Sequence, residues 1–488
     1  MNDLAFFSLH SSKNNLEDKL LRDTLDFSSF RSREGVLYSW RWHFLLGTLP
    51  LLSDGDAQLT ACQSSCEAWV HQWEEAGCSL DQTLRSAPQR KARAVRFDES
   101  SSSSTSSEVE DRTRPPASCL TDAAPPTCFA TENPLVPAVE SSYALQFQVD
   151  AVRQTIAKDM SRLFWDVPIF QEPQTKDAVS DILVKYCTAE KREYRQGFHE
   201  LAAFLYYACH RDKMQAEQLV RDNPVLRSNS FFTVFEKAYA DLPAAVYALL
   251  RRLILEEDNG LGLARWYYAA TSEQSGVVVA CERVQQDLLA QVAPELQHRL
   301  DAEYDIQSVV YLVRWLRLLF VRELSFDQLL RVWAVIFCER YVQTTAGRRA
   351  YVLDDSVALY FATQLLLHIR VPLSTDAGTA LQLLMKYPPV EHVEELLYRA
   401  IMTNADSCLI RLATAPHVIS VADAVTLPAE VTSRQGEILA GVIQNLEQYW
   451  FRAEDMKPEE LQCLTDSYIQ AIAQLKKVRD VLLHGMSE

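Results

Sequence analysis

An arginine and a glutamine, each near the end of a short motif, are the residues of this 488-residue chain whose chemistry is easiest to read. The first motif is Ile156-Ala-Lys-Asp159-Met-Ser-Arg162 and the second is Tyr194-Arg195-Gln196-Gly197. A planar guanidinium can neutralise phosphate oxygens and a glutamine amide can orient a water molecule, so the pair suits a bound nucleotide phosphate. The chain has no loop to hold that nucleotide itself. It contains no Gly-x-x-x-x-Gly-Lys-Ser/Thr, and Gly260-Leu-Gly262-Leu-Ala-Arg265 lacks the third glycine of a dinucleotide fingerprint. With only 13 glycines, phosphate-cradling loops are scarce throughout. The two side chains therefore read as supplied to an active site on another molecule.

Both must be positioned. Ile156, Asp159 and Arg162 stand at i, i+3 and i+6, which predicts that they share one side of a helix, with Asp159 near enough to brace Arg162. Tyr194 and Gln196 precede Gly197 at what reads as the entry to a helix beginning His199-Glu-Leu-Ala-Ala-Phe. There Gly197 would permit close approach of another backbone, and Gln196 would project from a helix N-terminus, where anions are favoured. Physics alone leaves a plainer reading open, in which Arg162 makes a surface ion pair and Gln196-Gly197 makes a turn.

Composition bounds the rest. At 48% hydrophobic residues the chain can bury a large core, while a formal net charge of -17 argues against a general nucleic-acid binder. The longest apolar run, around Leu201 to Cys209, falls far short of the roughly 20 residues that span a bilayer, so no transmembrane segment is expected. The N-terminus lacks the pattern of a secretory signal. Eleven cysteines without a Cys-x-x-Cys pair read as reduced thiols, and Cys62 with Cys66, one helical turn apart, lacks two further ligands nearby. Phe198-His199-Glu200 is not a metalloprotease start, because Ala203 stands where the second histidine would be. Cys209 beside His210 carries no local signature of a thiol nucleophile and reads as a buried thiol.

Apolar spacing predicts an all-α chain. Residues 31–84 read as two amphipathic helices, the first around Gly35 to Leu46 and stopped by Pro50, the second around Cys66 to Trp73. From about residue 87 to 133 a basic run, a serine tract (Ser100 to Ser107), an acidic cluster and prolines predict a disordered insert, open to regulation by phosphorylation. Helical patterning resumes near Tyr143 and runs to about residue 402, most clearly from Val309 to Trp333. The best strand candidate, Gly276 to Cys281, suits a helix equally well. Two C-terminal helices are predicted, Glu437 to Arg452 and Pro458 to His484. The organisation that follows is an N-terminal arm (1–30), a domain (31–402) broken by the insert, and a C-terminal helical extension (403–488).

Several separate stretches together resemble the TBC-domain family of GTPase-activating proteins for Rab GTPases. Ile156-x-x-Asp159-x-x-Arg162 matches that family's arginine-finger motif and Tyr194-x-Gln196-Gly197 its glutamine-finger motif. Trp42-His-Phe-Leu-Leu-Gly-Thr-Leu-Pro50 is similar to the opening tryptophan segment. Trp315 to Glu323 and Leu329 to Trp333 are similar to the late core helices. Asn133-Pro-Leu135 and Ala380 to Pro389 resemble the branch that includes a retromer-associated member. Ser325, where the family often has proline, and Ala334, where aspartate is common, depart from the pattern.

The resemblance implies an elongated multi-helix TBC-type fold and a dual-finger mechanism. Arg162 would stabilise transition-state charge and Gln196 would position the attacking water, with Ile156, Asp159, Tyr194 and Gly197 in support. The partner implied is a GTP-bound Rab, with an endosomal coat such as retromer as a further candidate and no nucleic acid. The chain would hold no cofactor or metal of its own, since GTP and magnesium belong to the Rab. It would be cytoplasmic, recruited peripherally to endomembranes in vesicle trafficking. The competing reading is a scaffold that binds a Rab or an endosomal coat without accelerating hydrolysis.

Overall fold

The computed structural model describes residues 13–27, 36–52, 55–85, 142–255, 260–268, 275–346, 353 and 355–413. The chain divides into two units, Met1–Thr414 and Ala415–Glu488. The serine-rich insert and both predicted C-terminal helices lie outside the described residues.

The all-α expectation is met: among the described residues there is no strand. The helices of eight or more residues are α1 (Lys13–Leu25), α2 (Tyr38–Leu45), α3 (Gly55–Arg85), α4 (Ser142–Met160), α5 (Pro173–Ala189), α6 (Phe198–Asp222) and α7 (Ser230–Ala238). They continue with α8 (Leu242–Ile254), α9 (Val309–Arg317), α10 (Phe326–Thr345), α11 (Val357–His368), α12 (Ala377–Met385) and α13 (Val393–Thr403). The ambiguous Gly276 segment is a short helix, Gly276–Glu282.

α2 is not amphipathic, as the sequence suggested, but buried on every side. Its apolar residues form the centre of the domain: the Trp42 ring lies 6.0 Å from Phe204, 5.8 Å from Trp333 and 5.4 Å from Phe337, centroid to centroid. Such aromatic pairs contribute about 0.5–1.5 kcal/mol each beyond the area they bury. This one residue joins α2, α6 and α10. Its polar neighbours can be buried because partners on other helices receive them. Asp212 of α6 accepts hydrogen bonds from the Ser39 N–H (2.6 Å), the Ser39 hydroxyl (2.7 Å) and the Trp40 N–H (3.2 Å), capping the first turn of α2 from outside. Arg41 reaches Asp23 of α1 at 3.1 Å, and His43 stacks on Trp69 of α3 at 4.0 Å. The helix ends well before Pro50, where Gly47 adopts φ 69° and its N–H bonds to the Phe44 carbonyl.

Two boundaries move. The predicted N-terminal arm contains α1, whose Leu16, Leu20 and Leu25 are buried in the main core and whose Glu17 accepts a hydrogen bond from Tyr341 of α10. The segment after residue 402 continues in the first unit to Thr414, with Leu409 buried.

The stretch from Val309 to Trp333 folds as two helices, in keeping with the helical patterning read there. α9 stops at Arg317, and Leu319 (φ 45°) and Phe320 (φ 68°) turn the chain through the left-handed region. Burial of Phe320 against Phe361 (5.0 Å) and a hydrogen bond from Trp333 Nε1 to the Leu319 carbonyl (3.0 Å) hold this unfavourable turn. Ser325 then caps α10 in a reciprocal capping box with Gln328. That accounts locally for the serine that departs from the family pattern. The turn matters because it carries Val321, Arg322 and Leu324 to the wall of a cleft.

Candidate functional site

The cleft has a volume of about 1070 Å³, and Asp159, Arg162, Gln196, His199, Glu200 and Arg322 are among its lining residues. Its construction begins at the end of α4. The helix stops at Met160, so Arg162 sits in the turn just beyond it rather than on the helix face the spacing predicted. That turn is closed by the Arg162 N–H on the Asp159 carbonyl at 3.1 Å. The C-terminal end of a helix favours a cation.

Burial separates the three motif residues. Ile156 is 1% exposed and packs in the core; it does not line the cleft. The Asp159 side chain is 8% exposed and the Arg162 side chain 71% exposed. Asp159 Oδ1 accepts from Arg162 Nη2 at 3.0 Å, while its Oδ2 accepts from the Tyr194 hydroxyl at 2.9 Å. The arginine is thus held at one nitrogen by a carboxylate that is itself fixed from the other side.

The network continues past the motifs. Tyr194 donates its one proton to Asp159, so the 3.0 Å contact to His199 Nδ1 requires the imidazole to donate to the phenol oxygen. Burial holds the His199 pKa below its ordinary value, and burial followed by the Asp159 hydrogen bond pushes the Tyr194 phenol up. His199 Nε2 lies 3.7 Å from Glu200 Oε1. The Glu200 carboxylate, 4% exposed, is gripped by Arg322 through Nε at 2.6 Å and Nη2 at 2.8 Å. That bidentate bond to Glu200 is the main reason the Arg322 pKa is raised. Next in sequence, the buried Glu323 turns away to Arg314 of α9 at 2.9 Å.

Gln196 is exposed on the cleft, and among the described residues no hydrogen bond engages its amide. Its placement depends on Gly197, which begins α6 with φ 106°. A Cβ there would meet Leu318 at 2.9 Å and the Tyr267 hydroxyl at 3.0 Å. Glycine is therefore required by conformation and by space, the close neighbours being two side chains rather than the backbone expected from sequence. The preceding segment is tied to the same buttress. The Tyr268 hydroxyl donates to the Glu193 carbonyl, and the Arg195 guanidinium lies over the Tyr268 ring at 5.2 Å.

The structure brings Asp159, Arg162 and Gln196 to one cleft, reaches Tyr194 through Asp159, uses Gly197 as backbone support and leaves Ile156 in the core. Sequence reading missed His199, Glu200 and Arg322. Their signals were adjacency: His199 and Glu200 follow the Gln-Gly pair almost directly, and Arg322 belongs to the Arg-Glu pair of the late helices. Two sequence expectations can be placed elsewhere. Cys62 and Cys66 are buried, with desolvation raising Cys62 to about 11, and Cys209 is fully buried with its thiol raised by desolvation. Among the described residues no group of three or more side chains is arranged to hold a metal ion, and no helix is long and apolar enough to cross a membrane.

Residues 138–359 match the model of the Rab-GTPase-TBC domain, a span that contains both motifs. TBC1 domain family member 5 of Mus musculus is 28% identical over 289 residues, covering 55% of this chain and 33% of that protein. TBC1 domain family member 5 homolog B of Dictyostelium discoideum is 36% identical over 141 residues, 29% of this chain and 13% of that protein. The chain therefore spans about a third or less of the length of these relatives. The crystal structure of the Ypt/Rab-GAP domain of Gyp1p superposes with a TM-score of 0.50 at 15% identity, covering 82% of this chain and 96% of that one. At that identity the likeness is one of fold.

Proposed function

Residues 138–359 of this chain are a Rab-GTPase-TBC domain, and from that premise we propose that the protein accelerates GTP hydrolysis by a Rab-family GTPase, using Arg162 and Gln196 in trans. The observation that carries the reading is the state of Arg162: an exposed guanidinium on a cleft, anchored at one nitrogen to a buried carboxylate. A surface ion pair needs no such foundation.

The chemistry follows from the groups present. With the GTPase seated on the cleft, Arg162 enters its nucleotide site and neutralises charge that develops on the β- and γ-phosphate oxygens. Because Asp159 and Tyr194 restrict its rotamers beforehand, little ordering cost remains when the phosphate arrives. Gln196, its amide uncommitted, orients the attacking water. Asp159, Tyr194 and His199 touch no reacting atom and act by positioning. The nucleotide and its magnesium ion are carried by the GTPase, and this chain hydrolyses nothing alone. The proposal extends to a cytoplasmic protein recruited peripherally to endomembranes, acting in vesicle or endosomal trafficking, with a retromer-type coat as a further partner.

The deciding experiment titrates purified protein against a panel of GTP-loaded Rabs and measures phosphate release. Catalytic acceleration of at least one Rab, abolished by Arg162→Ala, is the expected result. Tight binding across the panel with no acceleration would replace this reading with a non-catalytic scaffold.

A further inference from the structure

Trp165 is 83% exposed, the largest value among the exposed large hydrophobic residues described, and it lies on the same cleft as Arg162. Isolated surface apolar residues are ordinary, but this one is presented by a built loop. Its neighbour Phe164 takes φ 25°, an uncommon conformation for a residue with a side chain. The Phe164 ring is locked against Phe326 at 5.1 Å and Phe170 at 5.6 Å. Gln171 Nε2 donates to the Trp165 carbonyl at 2.8 Å and approaches the Phe164 carbonyl at 3.4 Å, and the Val167 N–H closes a turn on Phe164 at 3.1 Å. With the residue before it pinned inward and the backbone bonded on both carbonyls, the Trp165 ring is left pointing to solvent. The aromatic cluster that pins the loop also includes Phe204 and Tyr207 of α6, so the platform is the domain core.

We propose that Trp165 is a preformed anchor for the GTPase, inserting into an uncharged apolar depression beside the partner's nucleotide site. The proposal rests on the functional reading above. Three residues span at most about 11 Å and both side chains line one cleft, so a surface that admits Arg162 to a nucleotide phosphate comes within reach of Trp165. Tryptophan is the side chain most enriched among residues that dominate binding energy, and a rigid presentation reduces the ordering cost of using it. Binding affinity, and discrimination among GTPases that differ at that depression, should therefore depend on Trp165 while the chemical step does not.

The test uses the full chain with the GTPase that the wild type engages best in the panel. Both KM and kcat for activation are measured, together with Kd for the GTPase loaded with a non-hydrolysable GTP analogue. Trp165→Ala is expected to raise KM and Kd at least about tenfold with kcat within about threefold of wild type, and Trp165→Phe to recover part of the affinity. Phe147→Ala is the control: it removes an aromatic side chain that is 76% exposed on α4 and outside the cleft, and should alter neither constant. Unchanged KM and Kd in Trp165→Ala, or an equal loss in Phe147→Ala, overturns the anchor. A wild type that binds without activating removes the catalytic reading and leaves the anchor to be judged by Kd alone; a wild type that neither binds nor activates removes both.

Discussion

Asp159 and Tyr194 stand 35 residues apart in sequence and are joined by a 2.9 Å hydrogen bond inside the protein. This bond links the two motifs into one device: the carboxylate that holds Arg162 is itself held by the segment that carries Gln196. Removing the phenol oxygen separates them. Tyr194→Phe should lower saturated activation by about 10- to 100-fold through misplacement of Arg162, at a stability cost of about 1 kcal/mol. Single-turnover GTP hydrolysis with thermal unfolding of the same samples measures both. Full kcat in Tyr194→Phe would show that Asp159 needs no support.

Arg162 itself should be dispensable for folding. With its side chain 71% exposed, the pair with Asp159 contributes at most about 1 kcal/mol. Activation, by contrast, should fall about 10³- to 10⁵-fold in Arg162→Ala. Arg162→Lys should not rescue it, because a lysine keeps the charge without the planar fork of donors. An active lysine variant would reduce Arg162 to an ordinary surface cation.

Gln196 is best tested against the partner's own glutamine. If Gln196 orients the water, a GTPase whose catalytic glutamine is changed to leucine should still be substantially activated, whereas Gln196→Ala should be severely impaired with either GTPase. Four pairings of wild-type and variant proteins, assayed by single-turnover hydrolysis at saturating concentrations, distinguish lost chemistry from lost affinity. Activation that tracks the GTPase glutamine instead would remove Gln196 from the mechanism.

Gly197→Ala should damage the same segment through the backbone. The substitution puts a Cβ on a residue at φ 106° and within 3.0 Å of Leu318 and Tyr267, for a cost of about 2 kcal/mol or more. Thermal unfolding should show a larger drop for Gly197→Ala than for Gln196→Ala, with activation lost as well. An unchanged melting temperature would mean that the turn before α6 can relax freely.

Asp212 should make stability depend on pH. Burial pushes its pKa up to about 7 from an ordinary value of 3.8. Between those values the folded protein holds a proton that the unfolded chain has released, so this group's contribution falls as pH rises through that window. Buried His43 acts oppositely: burial depresses its pKa, and its contribution is lost as pH falls through 6.5. Comparing Asp212→Asn with wild type cancels His43 and keeps a carbonyl acceptor for the α2 cap. The variant's melting temperature relative to wild type should climb from about pH 4 to about pH 7 and then level off. A difference that stays constant over that range would assign Asp212 an ordinary carboxylate pKa.

Much of this was legible in sequence because it is local or periodic. Helical spacing sufficed for an all-α domain, and Ile156-x-x-Asp159-x-x-Arg162 with Tyr194-x-Gln196-Gly197, between their flanking stretches, sufficed for a resemblance that the domain match over residues 138–359 supports and for the brace between Asp159 and Arg162, which needs only a three-residue offset. The tertiary structure decided what depends on distant partners. It buried α2 on all sides because Asp212, 173 residues beyond Ser39, receives Ser39 and Trp40, and Asp23 on the separate helix α1 receives Arg41. It broke the Val309 to Trp333 stretch at Leu319 and Phe320, a turn that propensity opposes and core packing enforces. That break carried Arg322 122 residues across the sequence to Glu200, and thereby joined the wall of the cleft to α6. Local pattern names the side chains; long-range burial and pairing determine which of them face one another, because only a folded chain supplies the partners that make a buried charge or a strained turn affordable.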